Sequence, residues 1–125
     1  MEYKECSLCK INPASDIHHI IYRSHVKALV KCDLNLIPLC QACHSEVHRG
    51  KKSKELNIKL RLEFQNKLEI LFDKEYLTES EINEVLKISQ TALRGLLKPL
   101  KQYKEGIKRE DIIRACCGGR VIEWY

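Results

Sequence analysis

Two short apolar runs stand out in the first third of the chain, Ile17 to Tyr22 and Leu34 to Leu39; the first is interrupted only by His18-His19. Both have strand length and β-branched content, and the stretch between them is more polar, so they predict an antiparallel ribbon with a long loop. The turn-prone Asn12-Pro13 precedes the first run, and Gln41 to Arg49 predicts a short helix stopped at Gly50. From Ser53 to about Lys74 the pattern has two readings. Leu56, Ile58, Leu60, Leu62 and Phe64 alternate as in a strand, while Leu56, Leu60, Phe64, Leu68 and Leu71 fit one helical face. The residues between them are nearly all Lys, Arg, Glu, Gln and Asn, with no Gly or Pro, which favours a helix. Farther on, Thr78-Glu-Ser-Glu81 has capping-box spacing and predicts a helix through Ile82, Val85 and Leu86, with a second helix starting after Ser89. The expected class is α+β, in three parts without internal repeat: residues 1–52, a linker helix over 53–75, and a small helical part over 76–125.

Composition narrows this picture. A chain of 125 residues, 44% of them hydrophobic, supports one modest core or two very small ones, and small cores generally need a staple. Seven cysteines, with no apolar leader after Met1, point to a reducing compartment, the cytoplasm, and no membrane span is expected.

Four of those cysteines form two Cys-x-x-Cys knuckles, Cys6/Cys9 and Cys40/Cys43, with thirty residues between Cys9 and Cys40. Thiolates three apart in a tight knuckle can face one cation, and two knuckles complete the closed tetrahedron of a structural Zn2+. A competing set, Cys40, Cys43, His44 and His48, is less favourable, because Cys43 and His44 are adjacent and would point apart on a helix. His44 and His48 lie four apart and share a helical face, so they can hold one divalent ion. His18 and His19 are neighbours on a strand and point to opposite sides, so one can reach that ion while the other stays free. Hydrolysis needs this division between a ligand that fixes the cation and a free imidazole that takes a proton from water.

Taken together, Cys6-x-x-Cys9, Asp16-Ile-His18-His19-Ile20, Asn35-Leu-Ile-Pro-Leu-Cys40-x-x-Cys43-His44 and His48 resemble the HNH endonuclease motif, in the version with a zinc between two knuckles. The resemblance covers about the first fifty residues. It implies a ββα-metal fold and metal-dependent cleavage of phosphodiester bonds in DNA, by nicking or double-strand cutting. It makes His19 the general base, His18 and His44 metal ligands, His48 a third ligand or a phosphate contact, and Asn35 the residue that holds the hairpin loop and orients His19. Imidazoles accept Zn2+, Ni2+ and Mn2+ and, together with phosphate and water, Mg2+. The layout is similar to small phage-type HNH proteins, which implies a bacterial or phage-infected host cell.

The charge distribution is compatible with DNA as a partner. The net charge of +5 and pI near 8.8 are moderate, and their placement matters more. Arg23, shortly after the histidine pair, can clamp a phosphate, and Lys51 and Lys52 belong to a basic cluster after the predicted site helix. Glu81 to Leu97 resembles a helix-turn-helix with Ser89 opening the second helix. Gln90, Thr91 and Arg94 would then be base contacts, and Arg94 to Arg109, with six basic residues against one acid, a backbone-binding face. A packed helical bundle without DNA contacts fits the same pattern. Residues 120–125 are expected to end as a short strand or wing. The competing function is a zinc-stapled DNA-binding or regulatory protein without catalysis. Whether the protein acts as a monomer or a dimer stays open.

Overall fold

The computed structural model describes residues 4–122. It has the expected α+β character. Strand β1, Asp16–His19, pairs antiparallel with β2, Leu36–Leu39, setting His18 opposite Ile37 and His19 opposite Leu36. Helix α1, Gln41–Arg49, follows and stops at Gly50. Both apolar runs give shorter strands than their composition predicts. After His19 the chain bends at Ile20 and Ile21, and the second run opens with a 3-10 turn, Asp33–Asn35, before β2.

Asn35 accounts for both truncations. Its side chain is fully buried, accepts from the Ile21 amide (2.7 Å) and donates to the carbonyls of Ile21 (3.0 Å) and Leu29 (3.2 Å), while its own carbonyl accepts from the Ile20 amide (2.9 Å). One side chain thus satisfies backbone groups that a longer ribbon would have paired.

Helix α2, Ser53–Leu71, resolves the ambiguous stretch as helical. Leu60, Phe64 and Leu68 are buried, but the buried row closes on Phe72, whereas Leu71 is 44% exposed. Strand β3, Tyr76–Leu77, leads into α3, Glu79–Leu86, whose capping box is formed by Thr78 and Glu81. Lys87 turns the chain with φ 52°, and α4, Gln90–Leu97, starts at the Ser89 cap.

The stretch from Arg94 to Arg109, expected as one basic face, is divided. It comprises the second half of α4, a hairpin of β4, Gln102–Tyr103, and β5, Gly106–Lys108, and the first residue of α5, Arg109–Cys116. The three short strands form a sheet in the order β3-β5-β4, all antiparallel. Gly106 is obligatory there: its φ is +129°, and a Cβ would lie 2.4 Å from the Leu77 carbonyl oxygen. A short strand or wing is expected over residues 120–125, whereas the hairpin of this part lies at residues 102–108. Residues 120–122 have no regular structure, and 123–125 lie outside the described residues.

Buried side chains from Cys6 to Cys117 form one continuous cluster. The Cys32 thiol donates to the Leu86 carbonyl (3.3 Å), Arg61 donates to the Cys117 carbonyl (3.2 Å), and Gln65 pairs with both backbone groups of Ile122. Among the described residues, no helix is long and apolar enough to cross a membrane.

Candidate active site

The four knuckle cysteines converge, with all four Sγ atoms within 4.8 Å of one another and Cys9 Sγ 3.9 Å from Cys40 Sγ. A tetrahedron with Zn–S bonds of ~2.3 Å has edges of about 3.8 Å, so the set is compatible with a structural zinc after slight contraction. Lys10, with φ 57°, tightens the first knuckle, and its amide donates to the Cys6 carbonyl. In the second knuckle, Cys40 caps α1 and its Sγ accepts from the Cys43 amide (3.4 Å).

The thiol chemistry agrees with a cation site. At Cys6 burial acts to raise the pKa, but backbone hydrogen bonds at Cys40, Cys9 and Leu8 outweigh it and bring the group down to about 6. At Cys43 burial and the neighbouring sulfurs push it up to about 12. Four sulfurs this close cannot all ionise by themselves, and a dication removes that conflict.

The second cluster holds His18, His44 and His48, whose ring nitrogens lie within 4.8 Å of one another. His18 reaches α1 from β1, its ring centroid 5.3 Å from that of His44 and 5.2 Å from that of His48. The Nε2 atoms of His44 and His48 are 3.0 Å apart. Asp16 accepts from His44 Nδ1 at 2.9 Å, which leaves the Nε2 lone pair of His44 facing the other two rings.

His18 is 2% exposed, and its Nε2 is buried with no hydrogen-bond partner. Burial, then the nearby His48, His44 and His19, lowers its pKa to about 4, so the ring is neutral near pH 7. A neutral ring with a buried, unpartnered nitrogen, packed beside two other imidazoles, fits a divalent cation.

His19 belongs to neither cluster. Its Nε2 lies 3.1 Å from the Val30 carbonyl, which can only accept; Nε2 therefore carries the proton and Nδ1 keeps a lone pair. His18 and His19 are adjacent on β1, yet both line one cleft of about 370 Å³ with His44 and His48, and the chain bends immediately after His19. Tyr22 and Arg23 line it too. Among the described residues Asn35 makes no hydrogen bond to His19; it holds the loop whose Val30 carbonyl does.

The other sequence candidates lie elsewhere. Lys51 and Lys52 are exposed in the turn between α1 and α2 and do not line the cleft, and Gln90, Thr91 and Arg94 are exposed on α4. Three residues around the cleft were missed by sequence reasoning. Asp16 buttresses His44, Tyr22 stacks on His48 with ring centroids 6.0 Å apart, and Asn57 accepts from the Tyr22 hydroxyl (3.2 Å) while donating to the Val47 carbonyl (2.8 Å). Asp16 had a signal, its two-residue spacing from His18 on one strand face.

Comparison with known proteins bears on the same residues. No solved structure matches the chain. A mitochondrial DNA mismatch repair protein, a mutS homolog of Sarcophyton glaucum, is 40% identical over 52 residues, a stretch covering 38% of this chain and 5% of that protein. Both ligand clusters and His19 fall within a segment, residues 6–50, that matches the model of the HNH endonuclease family.

Proposed function

We propose that this protein is a metal-dependent HNH endonuclease that hydrolyses phosphodiester bonds in DNA. The observation that carries the proposal is the buried His18 ring, its Nε2 orphaned, clustered with His44 and His48 while His19 stays outside that cluster with its own nitrogen free. A divalent cation held by His18, His44 and His48 would supply positive charge to a phosphate oxygen and to the departing oxygen. Mg2+, Mn2+, Ni2+ and Zn2+ are the candidates.

His19 is the general base in this reading. The Val30 carbonyl fixes its tautomer and presents Nδ1 to a water, whose proton it accepts as the water attacks phosphorus. Asp16 keeps His44 in its ligand tautomer. Asn35 is a positioning residue that acts through the loop. Arg23, exposed at the cleft, is placed to pair with a phosphate. Residues 1–52 are the nuclease core, 53–75 the connecting helix and 76–125 a DNA-binding segment using Gln90, Thr91 and Arg94, with Lys51 and Lys52 as further backbone contacts. Seven free cysteines support work in a reducing compartment such as the cytoplasm of a bacterial or phage-infected cell.

The test is conversion of supercoiled plasmid to nicked or linear forms with each of the four metals and with EDTA. Metal-dependent conversion is expected, and the product ratio separates nicking from double-strand cutting. Binding of DNA without cutting under every metal would favour the zinc-stapled regulatory protein instead.

A further inference from the structure

We propose that Arg23, Lys27 and Lys31 form a phosphate path that carries one strand of a DNA duplex from the histidine cleft to the start of α4. This rests on the reading above for the identity of the cleft. The path itself follows from charge and contiguity.

Two segments far apart in sequence contribute. Between Ile17 and Cys32 there is no acidic residue, and Arg23, Lys27 and Lys31 are all exposed. Between Val85 and Lys104 there is again no acidic residue, and Lys87, Arg94, Lys98, Lys101 and Lys104 are all exposed. The chain as a whole carries 22 basic and 17 acidic residues, so these segments hold eight of the cations and none of the acids. Such segregation creates a one-signed surface on a protein of only moderate net charge.

The fold brings the two segments together. The 3-10 turn Lys27–Leu29 packs on α4, and the Cys32 thiol bonds to the Leu86 carbonyl at the end of α3. Between them runs a groove of about 300 Å³, with Arg23, Lys27 and Lys31 from one segment and Ile88, Ser89 and Ala92 from the other. The groove adjoins the histidine cleft, because Arg23 and Val30 line both. The Ser89 hydroxyl caps α4 by accepting from the Ala92 amide, so the lysines are the groups left to meet a ligand.

A phosphodiester backbone is the occupant that this arrangement fits. It is a continuous polyanion with regularly spaced charges, and neutralising it releases counterions at each contact. The side chains that make the path, Arg23, Lys27 and Lys31, are distinct from the histidines of the cluster, and Arg23 stands at the junction of groove and cleft. Positions on α4 would then meet the duplex beyond the groove, on the side of Gln90 and Arg94, both exposed.

The experiment is a fluorescence-anisotropy titration of a labelled 30-base-pair duplex across a salt series, without divalent metal, using the full chain. The double variant Lys27→Ala/Lys31→Ala should bind about tenfold or more weakly, and its log Kd against log salt should be shallower by about 1.8, the value for two lost phosphate contacts. The control pair Lys59→Ala/Lys67→Ala removes the same charge from exposed positions on α2 and should bind as the wild type does. Melting temperature and zinc content verify the fold of each. If either falls in the path variant, Lys27→Gln/Lys31→Gln takes its place. Wild-type affinity and slope in the path variant, or an equal loss in the control, overturns the proposal. Binding that depends on Lys27 and Lys31, from a protein that leaves plasmid uncut with every one of the four metals, overturns the nuclease reading and leaves the path standing.

Discussion

The cysteine cluster and the histidine cluster meet the same distance test, with donor atoms within 4.8 Å, and differ in what they leave open. Four thiols complete a tetrahedral shell by themselves. Three imidazoles do not, and they line a cleft that also receives His19, a fourth imidazole with its own partner. A closed shell can only stabilise, whereas an incomplete one can admit substrate. The distance between donors therefore says that a cation fits, and the number of donors and their access to solvent say what the cation is for.

Substitutions that act on one cluster at a time test this contrast. Cys40→Ser should have the largest effect, because structural zinc in small domains contributes ~10–16 kcal/mol of apparent folding free energy. The expected result is loss of zinc and cooperative unfolding of residues 6–50, followed by metal analysis and limited proteolysis. Retention of one tightly bound zinc and an intact fold would shift the staple to another set of residues.

Asn35→Ala comes next. It strips partners from the Ile21 amide and from the Ile21 and Leu29 carbonyls in a fully buried site, at a cost of about 3 kcal/mol, read as a lower urea midpoint. Zinc content should be unchanged in the protein that remains folded.

Acid should act on the histidine cluster through His18. Its folded pKa, about 4, lies below the ordinary 6.5, so both states are neutral above pH 6.5 and the contribution to stability is complete there. As pH falls from 6.5 towards 4, the unfolded chain takes the proton first and about 3 kcal/mol of stability is lost in the protein without a cation at the histidines. Urea midpoints at pH 7.5, 5.5 and 4 measure this loss, and His18→Gln should flatten that part of the profile.

The smallest of these effects is expected from Asp16→Asn. The carboxylate that orients His44 is removed while every proposed ligand stays, and affinity for the second cation should fall roughly 10–100-fold with thiol-bound zinc unaffected. Titration calorimetry with Ni2+ or Mn2+ reads it directly.

The parts of this molecule that local spacing determines are legible in the amino-acid sequence. The knuckles, the His44/His48 pair, the Thr78–Glu81 box and the Ser89 cap each depend on residues three or four apart, and all take the expected geometry. The parts that spacing does not reveal depend on contacts distant in sequence. Val30 as the partner of His19, and Asn57 as the partner of Tyr22, are set by how the loop and α2 pack. The β4-β5 hairpin is hidden because strands of two and three residues carry no period to detect, and only Gly106 marks the turn. Helix α5 is hidden for a similar reason: Lys108 gives it no side-chain cap, and the Cys116-Cys117-Gly-Gly run that ends it draws attention to its end instead of its body.

At the centre of the proposed mechanism, His19 would act on water while other residues hold the cations. The most direct measurement is the rate of plasmid cleavage by His19→Ala against wild type, at matched zinc content and matched occupancy of the second cation. A fall of about 10²–10⁴-fold is predicted, with both metals still bound. Cleavage by His19→Ala at the wild-type rate would contradict the mechanism, and would move the proton-accepting role to another group in the cleft.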